Sequence, residues 1–225
     1  MMETIQTDPF AIKDCALIAI ATGEKARNLR ELREIIERID PASIYYHFWG
    51  GLLRPRFDDP EYHNDFAIWV YRSLHNKALA ERLAVIDPAA FDTIENLRAE
   101  LLDIMEDALY QTDTPAWAER DRQFEFIRSQ IVVFNPNVQV TDAAMLTRVL
   151  PTISLGSIFF HFIDARQRNR NHLDDFRFWL RSQGDSYEPL CDAIARIDPY
   201  FSSLSDLRME LLKSFVSHFS GEQRP

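Results

Sequence analysis

A histidine between aromatic residues occurs twice in the chain. Residues 43–48 read Ser-Ile-Tyr-Tyr-His-Phe and residues 157–162 read Ser-Ile-Phe-Phe-His-Phe, which places His47 and His161 114 residues apart in the same segment. Imidazole titrates near neutral pH and binds metals, so two such histidines could form an acid–base pair or a metal site. The aromatic neighbours favour a structural alternative, in which each histidine is buried in a core.

Each histidine segment is followed by a second repeated segment that supplies a carboxylate. Residues 64–69 read Asn-Asp-Phe-Ala-Ile-Trp, and residues 174–179 read Asp-Asp-Phe-Arg-Phe-Trp. Asp65 and Asp175 could act as general bases or as metal ligands. Because both precede an apolar helical stretch, helix capping and a hydrogen bond with the preceding histidine are the favoured interpretation.

The loop that follows each histidine segment concentrates basic residues in an acidic chain. These residues are Arg54, Arg56 and His63 in the first loop, and Arg166, Arg168, Arg170 and His172 in the second. Guanidinium groups fit phosphate and carboxylate, so the loops are candidate binding sites for an anionic molecule or an acidic protein segment. The alternative is a solvated loop whose arginines pair with local acids such as Asp58, Asp59 and Glu61.

The repeated segments predict a tandem duplication. We place the first repeat at residues 8–110, a linker at 111–122 and the second repeat at 123–220. Each repeat is predicted to be a short strand followed by about four helices, with the two repeats packed about a pseudo-twofold axis. The predicted fold class is therefore mainly α, or α+β with minor β.

One strand is predicted to open each repeat. Residues 10–22 and 124–135 are rich in apolar and β-branched residues, and Gly23 and the sequence Asn135-Pro136-Asn137 are typical of turns. A lone strand needs a partner, so we expect the two strands to pair with each other.

The helices that follow are indicated by apolar residues at helical spacing. Asn28 and Ser43 are the predicted N-caps of the first two helices, and Pro151 should shorten or kink the helix that corresponds to the first. Phe66, Trp69, Phe176 and Trp179 are predicted core residues. Trp117, in the linker, is expected to pack against a repeat.

Composition excludes several classes of protein. The formal net charge of −10 argues against a nucleic-acid or membrane partner, because both partners carry negative charge. The two cysteines, Cys15 and Cys191, predict buried thiols in a reducing compartment, and residues 1–8 do not resemble a signal peptide. We therefore expect a cytoplasmic protein. Nucleotide-binding, zinc-binding and nucleophile-elbow motifs are absent from the sequence.

Several segments together resemble a bacterial family numbered 5752 among the domains of unknown function. The resemblance covers both repeats and rests on residues 21–26, 29–33, 44–48, 64–69 and 79–83. It implies no activity, substrate or catalytic residue. The second repeat departs from the family pattern, with Phe159 and Phe160 for the tyrosines and Asp174 for the asparagine, so chemistry that needs those groups would be confined to the first repeat.

These observations predict a non-enzymatic interaction or regulatory module. Its partner would be a protein or an anionic small molecule, and we expect no metal and no cofactor. The alternative is a small-molecule enzyme or sensor that uses His47 and Asp65, with His161 and Asp175 as their counterparts and the loop arginines as the anion site.

Overall fold

The computed structural model describes residues 8–54, 61–111, 116–169, 171–200 and 202–221. Arg56 and Arg170 of the predicted binding loops, and the acids Asp58 and Asp59, lie outside the described residues. The described chain is mainly helical with one two-stranded antiparallel sheet, so the predicted α+β class is confirmed. The pseudo-twofold packing of two repeats stays a prediction.

The first half of the chain contains one long strand and five α-helices within its described residues. They are β1 (Phe10–Ala26), α1 (Leu29–Arg38), α2 (Pro41–Trp49), α3 (Asp65–Leu74), α4 (Lys77–Ala84) and α5 (Ile94–Tyr110). Short 3-10 turns follow α2 at Gly50–Leu53 and α4 at Pro88–Ala90.

The second half has the same order of elements in shorter pieces. They are β2 (Phe124–Val140), α6 (Leu146–Val149), α7 (Leu155–Ile158), α8 (Ala165–Arg168), α9 (Asp175–Gln183), α10 (Glu188–Ala195) and α11 (Leu204–Gly221). A π-helical stretch, Phe159–Asp164, joins α7 to α8 and contains His161, and 3-10 turns lie at Ala143–Met145 and Asp185–Tyr187. As predicted, the helix before Pro151 is short, because proline cannot continue a helix interior.

The chain forms two compact units, and each draws on both halves of the sequence. The continuous unit is residues 17–131, and the discontinuous unit is residues 1–16 together with 132–225. The continuous unit therefore contains the start of β2, and the discontinuous unit contains the start of β1. In each unit the first residues of one strand accompany helices from the other half of the chain.

The strands pair with each other as predicted, but the predicted turns are wrong. Gly23 and Asn137 have positive φ angles of 84° and 59°, which are typical of turns. Both residues nevertheless lie inside the strands. Glycine and asparagine tolerate this conformation, so the local departure is accommodated while pairing continues past it.

The predicted cap of the histidine helix is also wrong. Asp40, not Ser43, is the N-cap of α2, because its carboxylate accepts a hydrogen bond from the Ala42 N–H and Pro41 occupies the first turn. Ser43 lies inside the helix, where its hydroxyl donates to the carbonyl of Ile127 at 2.8 Å. The serine thus ties α2 to β2 instead of starting the helix.

Aromatic residues fill the core of each unit. Phe66 and Trp69 are buried in the continuous unit, and Phe176 and Trp179 are buried in the discontinuous unit, as predicted. Each side chain of this size contributes roughly 1.5–3 kcal/mol of hydrophobic free energy on burial. The free cysteines, Cys15 and Cys191, are buried as well.

Trp117 is held through its backbone and not by burial of its ring. It forms an isolated bridge with Asn28, while the Arg27 guanidinium lies 5.4 Å from the ring centroid. The residue is 56% exposed, so the expected packing against a repeat occurs at the surface, through the contact with Arg27.

Gly156 allows β1 to approach α7 closely. The Sγ of Cys15 donates to the Gly156 carbonyl at 3.3 Å, and a methyl group at Gly156 would clash with the Cys15 carbonyl and the Asp14 carboxylate. Burial and the nearby carboxylates of Asp164 and Asp14 raise the pKa of the Cys15 thiol to about 12, so it remains a protonated donor.

We expect Gly156→Ala to lower the free energy of unfolding by roughly 1–3 kcal/mol, because the backbone of β1 must move to admit the new methyl group. Urea unfolding would measure the loss. The control is Leu155→Ala, a change at a neighbouring side chain that is 37% exposed. Equal stability of the G156A variant and the parent would contradict the close contact.

Candidate functional site

His47 connects three elements of the continuous unit. Its Nδ1 lies 2.9 Å from Oδ2 of Asp65, the first residue of α3, and its Nε2 accepts a hydrogen bond from the backbone N–H of Ile127 in β2 at 3.1 Å. Asn64 caps α3 by accepting from the Ala67 N–H, which leaves the Asp65 carboxylate for the histidine. His47 therefore joins α2 to both α3 and the strand.

His161 makes the same set of bonds in the discontinuous unit. Its Nδ1 lies 2.8 Å from Oδ2 of Asp175, and its Nε2 accepts from the N–H of Lys13 in β1 at 2.8 Å. Asp174 caps α9 by accepting from the Arg177 N–H. Lys13 and Ile127 are 114 residues apart, which is also the separation of the two histidines. Equivalent positions of β1 and β2 therefore bind the two histidines.

These bonds fix the protonation of both imidazoles. A ring nitrogen that accepts a backbone N–H bond carries no proton, so the proton resides on Nδ1 and is donated to aspartate. Both ring nitrogens are thereby used within the fold. The arrangement resembles the aspartate–histidine part of a catalytic triad, but the nitrogen that would face a nucleophile is occupied by the backbone.

The tryptophans secure the strands at a second point. The indole N–H of Trp69 donates to the Arg122 carbonyl at 2.7 Å, and that of Trp179 donates to the Asp8 carbonyl at 2.9 Å. Phe124 and Phe10 occupy corresponding places against these tryptophans and the histidines, with ring centroids 4.7 Å from His47 and 4.9 Å from His161. The start of each strand is thus anchored by one histidine and one tryptophan.

Arg166 and Arg168 lie in α8 and not in the predicted loop, and the discontinuous unit itself engages both. Arg168 donates to Asp164 at 2.6 Å, to Asp175 at 3.1 Å and to the Phe160 carbonyl at 2.9 Å, and its guanidinium lies 4.0 Å from the centroid of the Phe160 ring. Arg166 lies over the Phe162 ring and 3.8 Å from Asp174. These two arginines therefore lie beside local acids, as the alternative interpretation of the sequence predicted.

This network affects the acidity of Asp175. Burial raises the pKa of its carboxyl group, but the hydrogen bonds from His161 and Arg168, with the charge of Arg168, outweigh burial and hold the pKa below its usual value of 3.8. Asn169 donates to the other carboxylate oxygen at 3.2 Å. Asp175 is therefore a fully bonded anion.

Arg54 has a different environment in the continuous unit. Its guanidinium lies 4.7 Å from the centroid of the Tyr46 ring, as Arg168 lies over Phe160. The acid that pairs with Arg168 has no counterpart here, because the position that corresponds to Asp164, 114 residues earlier, is Gly50. Within the described ranges, Arg54 makes no ion pair, and Asp65 makes no hydrogen bond beyond that with His47.

Two neighbouring cavities lie along α3 in the continuous unit, and Arg54 lines the smaller one. One, of about 280 Å³, is lined by residues that include His47, Arg54, Asp65 and Phe124. The other, of about 710 Å³, is lined by residues that include Tyr71, His75 and Arg122. Both share Trp69, Arg72, Ser73 and Gln123, so they form one groove along α3.

The structure brings some of the predicted site residues together in two clusters and places others outside them. His47 and Asp65 are brought together with Arg54, and His161 and Asp175 with Arg168, while His63 and His172 have interactions of their own. Sequence reasoning missed Arg72, which lines both cavities. Its counterpart in the second half is Ser182, so a search for repeated residues passes over it.

Among the residues that the structure describes, histidine, cysteine, aspartate and glutamate form no group of three or more that could hold a metal ion. Nor is any helix among these residues both long and apolar enough to cross a membrane.

Comparisons with known proteins place the chain in a family. The model of the Family of unknown function (DUF5752) matches residues 7–216. The chain belongs to that family. A solved structure described as OrfY from Thermoproteus tenax is 30% identical to this DUF5752 chain and superposes with a TM-score of 0.81, over 95% of this chain and 96% of OrfY. No curated protein matches the chain.

We expect His47→Phe to lower the free energy of unfolding by roughly 1–3 kcal/mol, because the Ile127 N–H and the Asp65 carboxylate lose their partner. Urea unfolding would measure the change. Tyr46→Phe is the control, since phenylalanine stands at the corresponding position 160. Full stability of the H47F variant would refute a structural role for the histidine.

Asp175 should make folding sensitive to acid. Its folded-state pKa is depressed, so its contribution to stability is present above pH 3.8 and is lost as the pH falls through the folded value. We expect Asp175→Asn to be less stable than the parent at neutral pH and to show a flatter decline in melting temperature between about pH 5 and pH 2. The control is Asp192→Asn at an exposed position. Parallel melting curves for parent and D175N would contradict the assignment.

Proposed function

We propose that the protein is a non-enzymatic interaction or regulatory module, built by tandem duplication, that binds an acidic partner through the arginine next to its histidine segment. One observation carries the proposal. In both units, both ring nitrogens of the histidine are bonded within the fold, to aspartate and to the backbone of a strand. The residues best suited to catalysis therefore hold the fold together.

The enzyme alternative needs a ring nitrogen that can exchange a proton with a substrate. Nε2 of His47 could do so only by releasing the Ile127 N–H, which would leave a backbone donor without its bond. Geometry therefore favours binding over acid–base catalysis at His47 and Asp65.

Duplication is supported by the correspondence of contacts. The histidine, the aspartate, the strand N–H, the tryptophan and the arginine on an aromatic ring all recur in the second unit. The two copies differ in charge: Asp164, one of the two carboxylates that hold Arg168, is replaced by Gly50, and Asp65 forms no ion pair with Arg54 within the described ranges. We infer that the first copy keeps the binding role and the second copy has become structural.

The partner follows from the charges. A guanidinium on an aromatic ring binds carboxylate or phosphate. The net charge of −10 predicts that this partner is neither nucleic acid nor a membrane, and a cytoplasmic location accords with that composition.

The proposal is tested by identifying a partner through crosslinking in cells and then measuring its affinity for the purified full-length chain. We expect Arg54→Met to weaken binding by about tenfold, because one charged contact is lost. His47→Gln should bind the partner as the parent does while unfolding at lower urea concentration, since its role is in the fold.

The matched control is Arg30→Met, which removes one exposed positive charge from α1 of the same unit. A variant H47Q that kept its stability but lost a turnover reaction would establish the enzyme alternative instead. Equal affinity of R54M and R30M for the purified partner would show that Arg54 is not the contact.

A further inference from the structure

We propose that the groove along α3 in the continuous unit is a binding site for a small hydroxylated oxyanion, held by Arg54 and Arg72. This inference deepens the proposed function, on which it rests, because it assigns the chemistry that Arg54 recognises. The groove combines the cavities of about 280 Å³ and 710 Å³ that share Trp69 and Arg72. That volume suits a small molecule.

The two arginines supply the charge. Both line the smaller cavity, and neither forms an ion pair with any residue that the structure describes. Arg54 is nonetheless positioned, because its guanidinium lies over the Tyr46 ring. A stacked guanidinium retains its outward N–H donors, which match the oxygens of carboxylate or phosphate.

An acceptor lies in the same cavity. One carboxylate oxygen of Asp65 accepts from His47, and the other has no hydrogen-bond partner in the described ranges. Asp65 is 28% exposed, so this oxygen can accept a hydrogen bond from a ligand hydroxyl. Its negative charge, and that of Glu125 beside it, disfavour a ligand with several negative groups.

The discontinuous unit shows what fills the corresponding place when no ligand is needed. Arg168 there bonds Asp164 and Asp175, and Asn169 bonds the remaining oxygen of Asp175. These donors and acceptors thus bond one another inside the protein. In the continuous unit, Gly50 replaces Asp164, and Arg54 and Asp65 face a cavity instead.

The walls limit the size and nature of the ligand body. Ile68, Trp69 and Phe124 give the smaller cavity an apolar side. A short carbon chain can lie there while its oxyanion meets the arginines and its hydroxyl meets Asp65. Glycerol 3-phosphate and glycerate both have this form: each carries the same diol, with a phosphate ester on a further CH2 group in the first and a carboxylate on the CHOH carbon in the second.

Isothermal titration of the purified full-length chain with glycerol 3-phosphate, glycerate and neutral glycerol tests the site. We expect at least one of the two anions to bind with a dissociation constant of about 1 mM or tighter, and glycerol not to bind. Which anion binds more tightly identifies phosphate or carboxylate as the recognised group. Arg54→Met and Arg72→Met should each weaken that binding about tenfold, and Arg30→Met should leave it unchanged.

Three results would overturn the inference: no binding of either anion at about 10 mM, equal binding of glycerol, or R54M and R72M variants that bind as the parent does. Circular dichroism of each variant would show that it is folded. Affinity for a purified protein partner is measured separately. A chain that binds its partner but neither anion would therefore refute this site and leave the proposed module intact.

Discussion

The hydrogen bond between a histidine Nε2 and a strand N–H is the contact on which the rest of the structure depends. It attaches β2 to α2 in the continuous unit and β1 to the π-helical stretch in the discontinuous unit. Aspartate fixes the tautomer that lets the nitrogen accept, and tryptophan holds the strand at a second point. A two-stranded ribbon is only marginally stable alone, so these anchors are what make the strands part of each core.

The exchange of strands between the halves of the chain has a thermodynamic consequence. The continuous unit needs the start of β2, and the discontinuous unit needs the start of β1. Neither predicted repeat contains the strand that its own histidine binds. A chain cut between the repeats would leave both histidines without their backbone partner, and buried polar groups without partners are costly. We therefore expect the two predicted repeats to be stable only as a pair.

The sequence predicts the strands, most of the helices and the histidine–aspartate pairing, but it does not predict that each histidine binds the strand from the other half of the chain. His47 and Asp65 recur together as His161 and Asp175, and a polar pair kept among aromatic residues indicates a buried hydrogen bond. The third partner is a backbone N–H, which leaves no trace in residue type. Ser43 was misread as a cap because its hydroxyl bonds a strand distant in sequence. A comparison of repeated residues does not identify Arg72, because serine stands at the corresponding position 182. The change from Asp164 to Gly50 is visible in the sequence.

Charge distinguishes the two copies more than shape does. Each has an arginine on an aromatic ring beside a histidine-bound aspartate. In one copy, Asp164 and Asp175 satisfy the arginine, and a fully paired set of buried charges has no reason to attract a ligand. In the other copy, the helix position of Asp164 is glycine, the cap Asp174 is Asn64, and an additional arginine stands at position 72. The loss of Asp164 and the addition of Arg72 leave Arg54 and Arg72 without ion pairs in the described ranges. Asn64 replaces Asp174 together with its partners Arg166 and Arg177, whose positions hold Leu52 and Ala67. In the proposed function, the paired cluster stabilises the fold and the other cluster binds the partner.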